Sequence, residues 1–218
     1  MKTTIVTHYF PRCEPHRQFF ELAKSVNAKW AKSLGWQFIA DSLRRLGGSI
    51  YREKAAILTE VLQGLPDGDR VLWLDGDTVM VASPEPIWDD LGAADIGMVK
   101  AILGHRGHAG VVPMTVNSAT RNLWVEVRDH KHSHENPPEH EVWDANICDD
   151  CRIAPGDRGP LCGSRKHTLV ELGHRWNEHH EKRDNDTRIV GHHAMEAWAT
   201  LRAMQETIQW QPSALVKG

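Results

Sequence analysis

The chain has 218 residues, with 26 basic and 29 acidic side chains, a formal charge of −3, 40% apolar residues and 25% charged residues. This length favours one sizeable domain, the composition excludes wholesale disorder, and the near-zero charge excludes a broad phosphate-neutralising surface. No stretch approaches the roughly 20 apolar residues of a membrane-spanning helix, and the opening MKTTIVTHYFPR, interrupted by His8, is not a secretion signal, so a soluble cytoplasmic α/β domain is expected.

Residues 3–10 form an apolar, β-branched run that predicts a buried first strand. Phe19, Phe20, Leu22, Ala23, Val26, Trp30 and Leu34 then recur at helical spacing up to Gly35. Residues 36–40 predict a second strand ending at Asp41, and residues 50–62 a helix with Gly64 as its stop. Pro66-Asp67-Gly68-Asp69 is turn chemistry, followed by Arg70-Val-Leu-Trp-Leu74, a strand apolar on both faces as a central parallel strand must be. Residues 96–99 and 110–116 predict further strands, and Ser118 caps a helix running to about His130. Between residues 133 and 167 the pattern gives way to Pro, His, Asp, Gly and Cys, and strand character returns at 168–172 and 188–190. The helix after His193 carries Met195, Trp198, Leu201, Met204 and Ile208 on one stripe and is expected to pack on the sheet. Strand–helix–strand–helix–strand order predicts a Rossmann-like, mostly parallel sheet flanked by helices in one domain spanning 1–218, with 133–167 as an irregular insertion. The nine Trp and fourteen His are both unusually many; indole faces suit sugars and bases as well as cores, and His tracts suit metal or polar sites.

The chemistry concentrates at the end of the third strand, where Asp75 and Asp77 flank Gly76. In an open α/β sheet ligands bind beyond the carboxyl ends of the strands, and side chains two apart on a strand point the same way. Two carboxylates held together repel unless a proton or cation intervenes, and a hard divalent ion (Mn²⁺ or Mg²⁺) satisfies them while leaving positions for phosphate oxygens. The loop of residues 7–17, with Thr7, Tyr9, Arg12 and Arg17, and the strand-ending Asp41 stand where a nucleoside would lie; Lys54 is a further candidate for phosphate contact.

Leu72-Trp-Leu-Asp-Gly-Asp-Thr-Val-Met80 resembles the metal-binding segment of GT-A-fold, nucleotide-sugar-dependent glycosyltransferases. Arg52-Glu-Lys54 is similar to the family's Lys-bearing helix before that strand, Gly107-His-Ala-Gly110-Val-Val to its later Asn-x-Gly-Val strand, and Glu171-Leu-Gly-His-Arg-Trp176-Asn177 to its Leu-Pro-x-x-Trp-Asn region. Ile189-Val-Gly-His192-His resembles its late Ile-x-His element. The chain departs from the pattern at Ala109, where the family has Asn, at Trp143-Asp144-Ala145-Asn146, where no Asp-Gln pair stands, and at Met195, where Gly is usual. The resemblance implies a single GT-A-like domain that moves a sugar from a UDP-, GDP- or dTDP-linked donor to an acceptor hydroxyl on a glycan, small molecule or nucleic acid. It implies Asp75, Asp77 and His192 as ligands of Mn²⁺ or Mg²⁺, with the adjacent His193 as the alternative. Asp77 is thereby placed at the reacting centre, and Lys54, Asp75 and Gly110 beside the donor. Asp144 is the candidate general base or hydroxyl orienter on the acceptor side, and Trp176 with Asn177 either line the sugar pocket or belong to the core.

Cys148 and Cys151, followed by Cys162 and His167, have the spacing of a structural tetrahedral Zn²⁺ site, against the alternative of reduced thiols in a loop. Two other functional classes are open. A haloacid-dehalogenase-type phosphatase would use Asp75 as nucleophile and Asp77 as acid, but that fold begins with this strand, whereas two strand–helix units precede it here. A zinc-stapled nucleic-acid-binding module built on the Cys/His segment is the non-enzymatic reading, and the net charge weighs against it.

Overall fold

The computed structural model describes residues 1–9, 13–42, 50–99, 109–129, 169–192 and 196–210. Its elements in chain order are β1 (Thr3–His8), α1 (Glu14–Ser33), β2 (Gln37–Asp41), α2 (Ile50–Gly64), β3 (Arg70–Asp75), β4 (Thr78–Met80), α3 (Ile87–Leu91), β5 (Ile96–Val99), β6 (Val111–Thr115), α4 (Ser118–Asp129), β7 (Leu169–Leu172), β8 (Glu178–His179), β9 (Ile189–Gly191) and α5 (Ala197–Gln209). A single 3-10 turn, His174–Trp176, precedes β8.

Six strands form the main sheet in the order β2-β1-β3-β6-β5-β7, and β4-β9-β8 form a second, smaller sheet. The pairings β1–β2, β1–β3 and β5–β7 are parallel, as the strand–helix alternation requires. β6 runs antiparallel between β3 and β5, a reversal that an apolar run cannot reveal because period and burial are the same in either direction.

Alternation along the strands splits the core into two layers. Val71 and Trp73 of β3 pack with Ile57, Leu58 and Leu62 of α2 and with Leu123, Trp124 and Val127 of α4. Leu72 and Leu74 face the other side and join Ile87, Trp88, Val170, Leu172 and Trp176. Period-two alternation within a strand buried on both faces produces this sandwich. A third cluster, Ala23, Val79 and Met204, fastens α1, β4 and α5 together.

α1 begins at Glu14, five residues before the expected apolar stripe, because Pro15 suits a first helical turn whose N–H groups lack partners in any case. It ends where Gly35 adopts φ +68°, a conformation that costs glycine little. α5 differs from expectation in two respects. Leu201 and Met204 are buried, but Trp198 on the expected stripe is 64% exposed; and the helix packs on α1 and β4 rather than on the main sheet. The short strands β4 and β8 and the five-residue α3 are additions that the sequence patterning did not predict.

Candidate active site

The parallel register brings three chain ends to one edge of the main sheet. His8 of β1 pairs with Asp41 of β2 on one side and Asp75 of β3 on the other, and the Tyr9 amide donates to the Asp41 carbonyl at 2.9 Å. Because β6 is antiparallel, its beginning lies at this same edge, and the Asp75 amide donates to the Gly110 carbonyl at 2.8 Å. Thr7, Tyr9, Asp41, Asp75 and Gly110, far apart in sequence, are thus adjacent backbone positions.

Lys54 reaches the edge from the first turns of α2. Its ammonium lies 3.0 Å from Asp75 Oδ1, donates to the Ala109 carbonyl at 2.8 Å, and stands 5.4 Å from the Trp73 ring centre. The Trp73 indole N–H donates to the same Asp75 oxygen at 2.7 Å. Both contacts on Asp75 therefore land on Oδ1, with 32% of the side chain exposed, whereas the Lys54 side chain is only 7% exposed. Trp73 is a site residue that sequence reasoning passed over; its spacing of two from Asp75, on the same face of β3, was the available signal.

The chain turns sharply after Asp75. The Thr78 hydroxyl donates to the Asp75 carbonyl at 2.6 Å, and a Cβ placed on Gly76 would lie 2.9 Å from the His8 carbonyl oxygen, so only glycine fits between the turn and β1. Asp77 leads into β4, and its carbonyl accepts from the His192 amide at 3.2 Å and from His192 Nδ1 at 2.8 Å. From the other side Asn27, in the middle of α1 and 1% exposed, donates to the Thr78 carbonyl at 3.0 Å and accepts from the Met80 amide at 2.9 Å. Asn27 thereby acts as a partner for an edge strand, a role no local pattern announces.

Several expected residues are placed differently from one another. Tyr9 is 7% exposed and stacks on Phe20 with ring centres 3.9 Å apart and planes 5° apart. Burial of its hydroxyl, aided by the nearby Cys13, pushes the phenol pKa well above its ordinary value. Arg17 lies on the exposed start of α1, gripping Glu14 through two hydrogen bonds of 2.9 and 2.5 Å. Trp176 is fully buried in the core and donates its indole N–H to Asp90 Oδ2 at 2.7 Å, while Asn177 beside it is also buried. The ring of His192 is 1% exposed, with Nε2 3.0 Å from the Thr207 hydroxyl. It stacks on His180 at 5.7 Å, whose own pKa is lowered first by burial and then by neighbouring His179. Among the described residues no three His, Cys, Asp or Glu side chains are grouped to hold a metal. Arg12, Asp144, His193, Cys148, Cys151, Cys162 and His167 lie outside the described residues.

With the sheet order and flanking helices in place, the fold is the GT-A fold found in nucleotide-sugar glycosyltransferases. Among solved structures, a glycosyltransferase involved in the glycosylation of the major capsid of PBCV-1 is similar over 94% of this chain and 100% of its own, with a TM-score of 0.67 and 14% identity. The galactosyltransferase LgtC in complex with donor and acceptor sugar analogues is similar over 94% and 95% at TM-score 0.51 and 14% identity. Mouse xyloside xylosyltransferase 1 is similar over 89% and 98% at TM-score 0.51 and 10% identity. No protein-family model matches the sequence, and a search of curated proteins finds no match. No helix among the described residues is long and apolar enough to cross a membrane.

Proposed function

We propose that the protein is a metal-dependent glycosyltransferase that moves a sugar from a nucleotide-diphosphate donor to an acceptor hydroxyl. The observation that carries this reading is the placement of Asp75 and Asp77 on the turn leaving the sheet edge, beside the buried Lys54 ammonium. The donor set fits a hard divalent ion: two carboxylates two residues apart, around a glycine that leaves no room for a side chain. Asp75 and Asp77 are the residues that would hold Mn²⁺ or Mg²⁺, which when bound supplies charge neutralisation to the diphosphate leaving group.

The remaining roles belong to the chain itself. Lys54 supplies a fixed positive charge at the edge where the diphosphate would lie, preorganised by the Ala109 carbonyl and Asp75. Tyr9 and Asp41 stand at the ends of β1 and β2, where the nucleoside of a UDP-, GDP- or dTDP-linked donor would sit. In the transfer, the bond between the sugar and the diphosphate oxygen breaks as the acceptor oxygen bonds to the sugar. The acceptor proton passes to a base, for which Asp144 is the candidate. The sugar-transfer activities of the similar structures support this reading, and nothing comparable supports the phosphatase or the nucleic-acid-binding module. The acceptor is a glycan, a small molecule or a nucleic acid, and zinc held by Cys148, Cys151, Cys162 and His167 would be structural.

A thermal-shift panel of UDP, GDP and dTDP with and without Mn²⁺ tests the proposal, because ligand binding raises the melting temperature by mass action. A shift requiring both nucleotide and metal, and lost in Asp77→Asn, is expected. Release of inorganic phosphate from small phosphoesters with no nucleotide-dependent shift would replace the proposal by the phosphatase.

A further inference from the structure

The peptide that carries the second aspartate is held from outside the motif. One residue, His192 immediately after β9, donates twice to the Asp77 carbonyl, from its amide at 3.2 Å and from Nδ1 at 2.8 Å. A carbonyl oxygen only accepts, so Nδ1 carries a hydrogen and has no lone pair to offer a metal. The other nitrogen then holds the lone pair and points at the Thr207 hydroxyl at 3.0 Å; the single hydrogen of that hydroxyl is shared between Nε2 and the Ala203 carbonyl at 2.8 Å, and its oxygen accepts from Arg183 Nη1 at 3.4 Å. With the ring 1% exposed and stacked on His180, Nδ1 is committed to the Asp77 peptide and the Nε2 lone pair is aimed at Thr207 on α5.

We propose that His192 is a positioning residue and not the third metal ligand. It fixes the Asp77 peptide, and through it the Asp77 carboxylate, while Thr207 on α5 sets the orientation of the ring. Asn27 performs the same service for the following residues of β4, so the turn is held from both sides. This inference rests on the donor-site reading given above. It predicts which atom of His192 matters: Nδ1, whose position an asparagine amide reproduces, rather than Nε2.

The test measures Mn²⁺ affinity in the presence of the best-binding of UDP, GDP and dTDP, together with pulsed EPR detection of nitrogen bound to Mn²⁺. His192→Asn, which keeps a donor towards the Asp77 carbonyl, is expected to stay within ~3-fold of the wild type, whereas His192→Ala weakens Mn²⁺ binding ~10–100-fold. The nitrogen coupling of the Mn²⁺ complex is expected to be the same in wild type and His192→Asn. A directly bound nitrogen signal in the wild type that disappears in His192→Asn would make His192 a ligand and overturn the proposal. So would an asparagine variant as weak as the alanine one. Should both variants unfold, Thr207→Val decides: loss of the ring's anchor is expected to weaken Mn²⁺ binding several-fold, whereas a ligand histidine freed from Thr207 would bind Mn²⁺ equally or more tightly. If the wild type binds no Mn²⁺–nucleotide at all, the donor-site reading falls and takes this inference with it; the other negative outcomes leave that reading standing.

Discussion

Replacing Lys54 by Met retains the length of the side chain and removes its charge from a site where that charge meets Asp75, the Ala109 carbonyl and the Trp73 ring. The ammonium is 3.0 Å from Asp75 Oδ1, 2.8 Å from the Ala109 carbonyl and 5.4 Å from the Trp73 ring centre. At an effective dielectric constant of about 20, the Coulomb attraction at this distance is about 5 kcal/mol, largely offset by the desolvation of a nearly buried ammonium. Removing one partner exposes the asymmetry, because the desolvation already suffered by the other is no longer compensated. For a fully buried pair that cost is about 3–5 kcal/mol. With 32% of the Asp75 side chain exposed, water repays part of it and the loss comes to about 2 kcal/mol, or roughly 4–8 °C in melting temperature for a chain of this size. Thermal or urea melts of the metal-free protein measure this. The same substitution leaves the acidic pair without its internal counter-charge, so Mn²⁺ alone should bind more tightly while nucleoside diphosphate binds more weakly. A variant as stable as the wild type, with Mn²⁺ and nucleotide affinities both unchanged, would refute the role assigned to Lys54.

Two further predictions concern the scaffold. Asn27→Leu leaves the Thr78 carbonyl and the Met80 amide without their buried partner and should cost about 2–4 kcal/mol, with faster hydrogen exchange at Met80 as the local signature; unaltered exchange there would show that β4 does not depend on Asn27. His180 has its pKa lowered by burial and by His179 and Arg183, against Glu181 and Glu206, which raise it. The unfolded chain therefore takes up this proton more readily, and stability should decline as pH falls below about 6.5. Urea midpoints from about pH 8 to pH 5 should fall less steeply in His180→Phe, and parallel curves for variant and wild type would dispose of the linkage.

The parts of this molecule legible in the sequence are those set by short-range pattern. The strand at 96–99, the central strand at 70–74 and the helix at 50–62 before Gly64 are read from apolar runs and stop signals, and the structure places them there, with the central strand one residue longer and the helix two. The location of the acidic pair at a strand end followed from the same reading. What pattern does not carry is direction and partnership. The reversal of β6 brings Gly110 beside Asp75, yet an apolar strand looks alike in either direction. β4 has only three residues and exists because β9, Asn27 and α1 complete it, so its own propensity decides nothing. Trp176 could equally have lined a pocket; the deciding contact is with Asp90, 86 residues away. The orientation of His192 depends on a threonine in the following helix, and that of Lys54 on a carbonyl 55 residues distant.

The acidic pair owes its geometry to lying on the seam between two sheets. Asp75 is the last residue of β3 in the main sheet, and Thr78 is the first of β4 in the small one, paired to Gly191. Two residues must carry the chain across, and the tight approach to His8 requires one of them to be glycine. The other is Asp77, whose carbonyl is tied to the second sheet while Asp75 is tied to the first through Gly110, Trp73 and Lys54. The Asp75 side chain is thus tied to the main sheet, and the Asp77 peptide to the residue that follows β9 of the second sheet. Helix α1 spans both sheets, with Phe20 beneath Tyr9 and Asn27 on β4, and α5 closes the far side through Thr207 and Met204. The Lys54 ammonium meets the Asp75 carboxylate at this seam at 3.0 Å. Under the proposed function, a turn already anchored by Lys54, His192 and Asn27 is the preorganisation that charge stabilisation of a departing diphosphate requires.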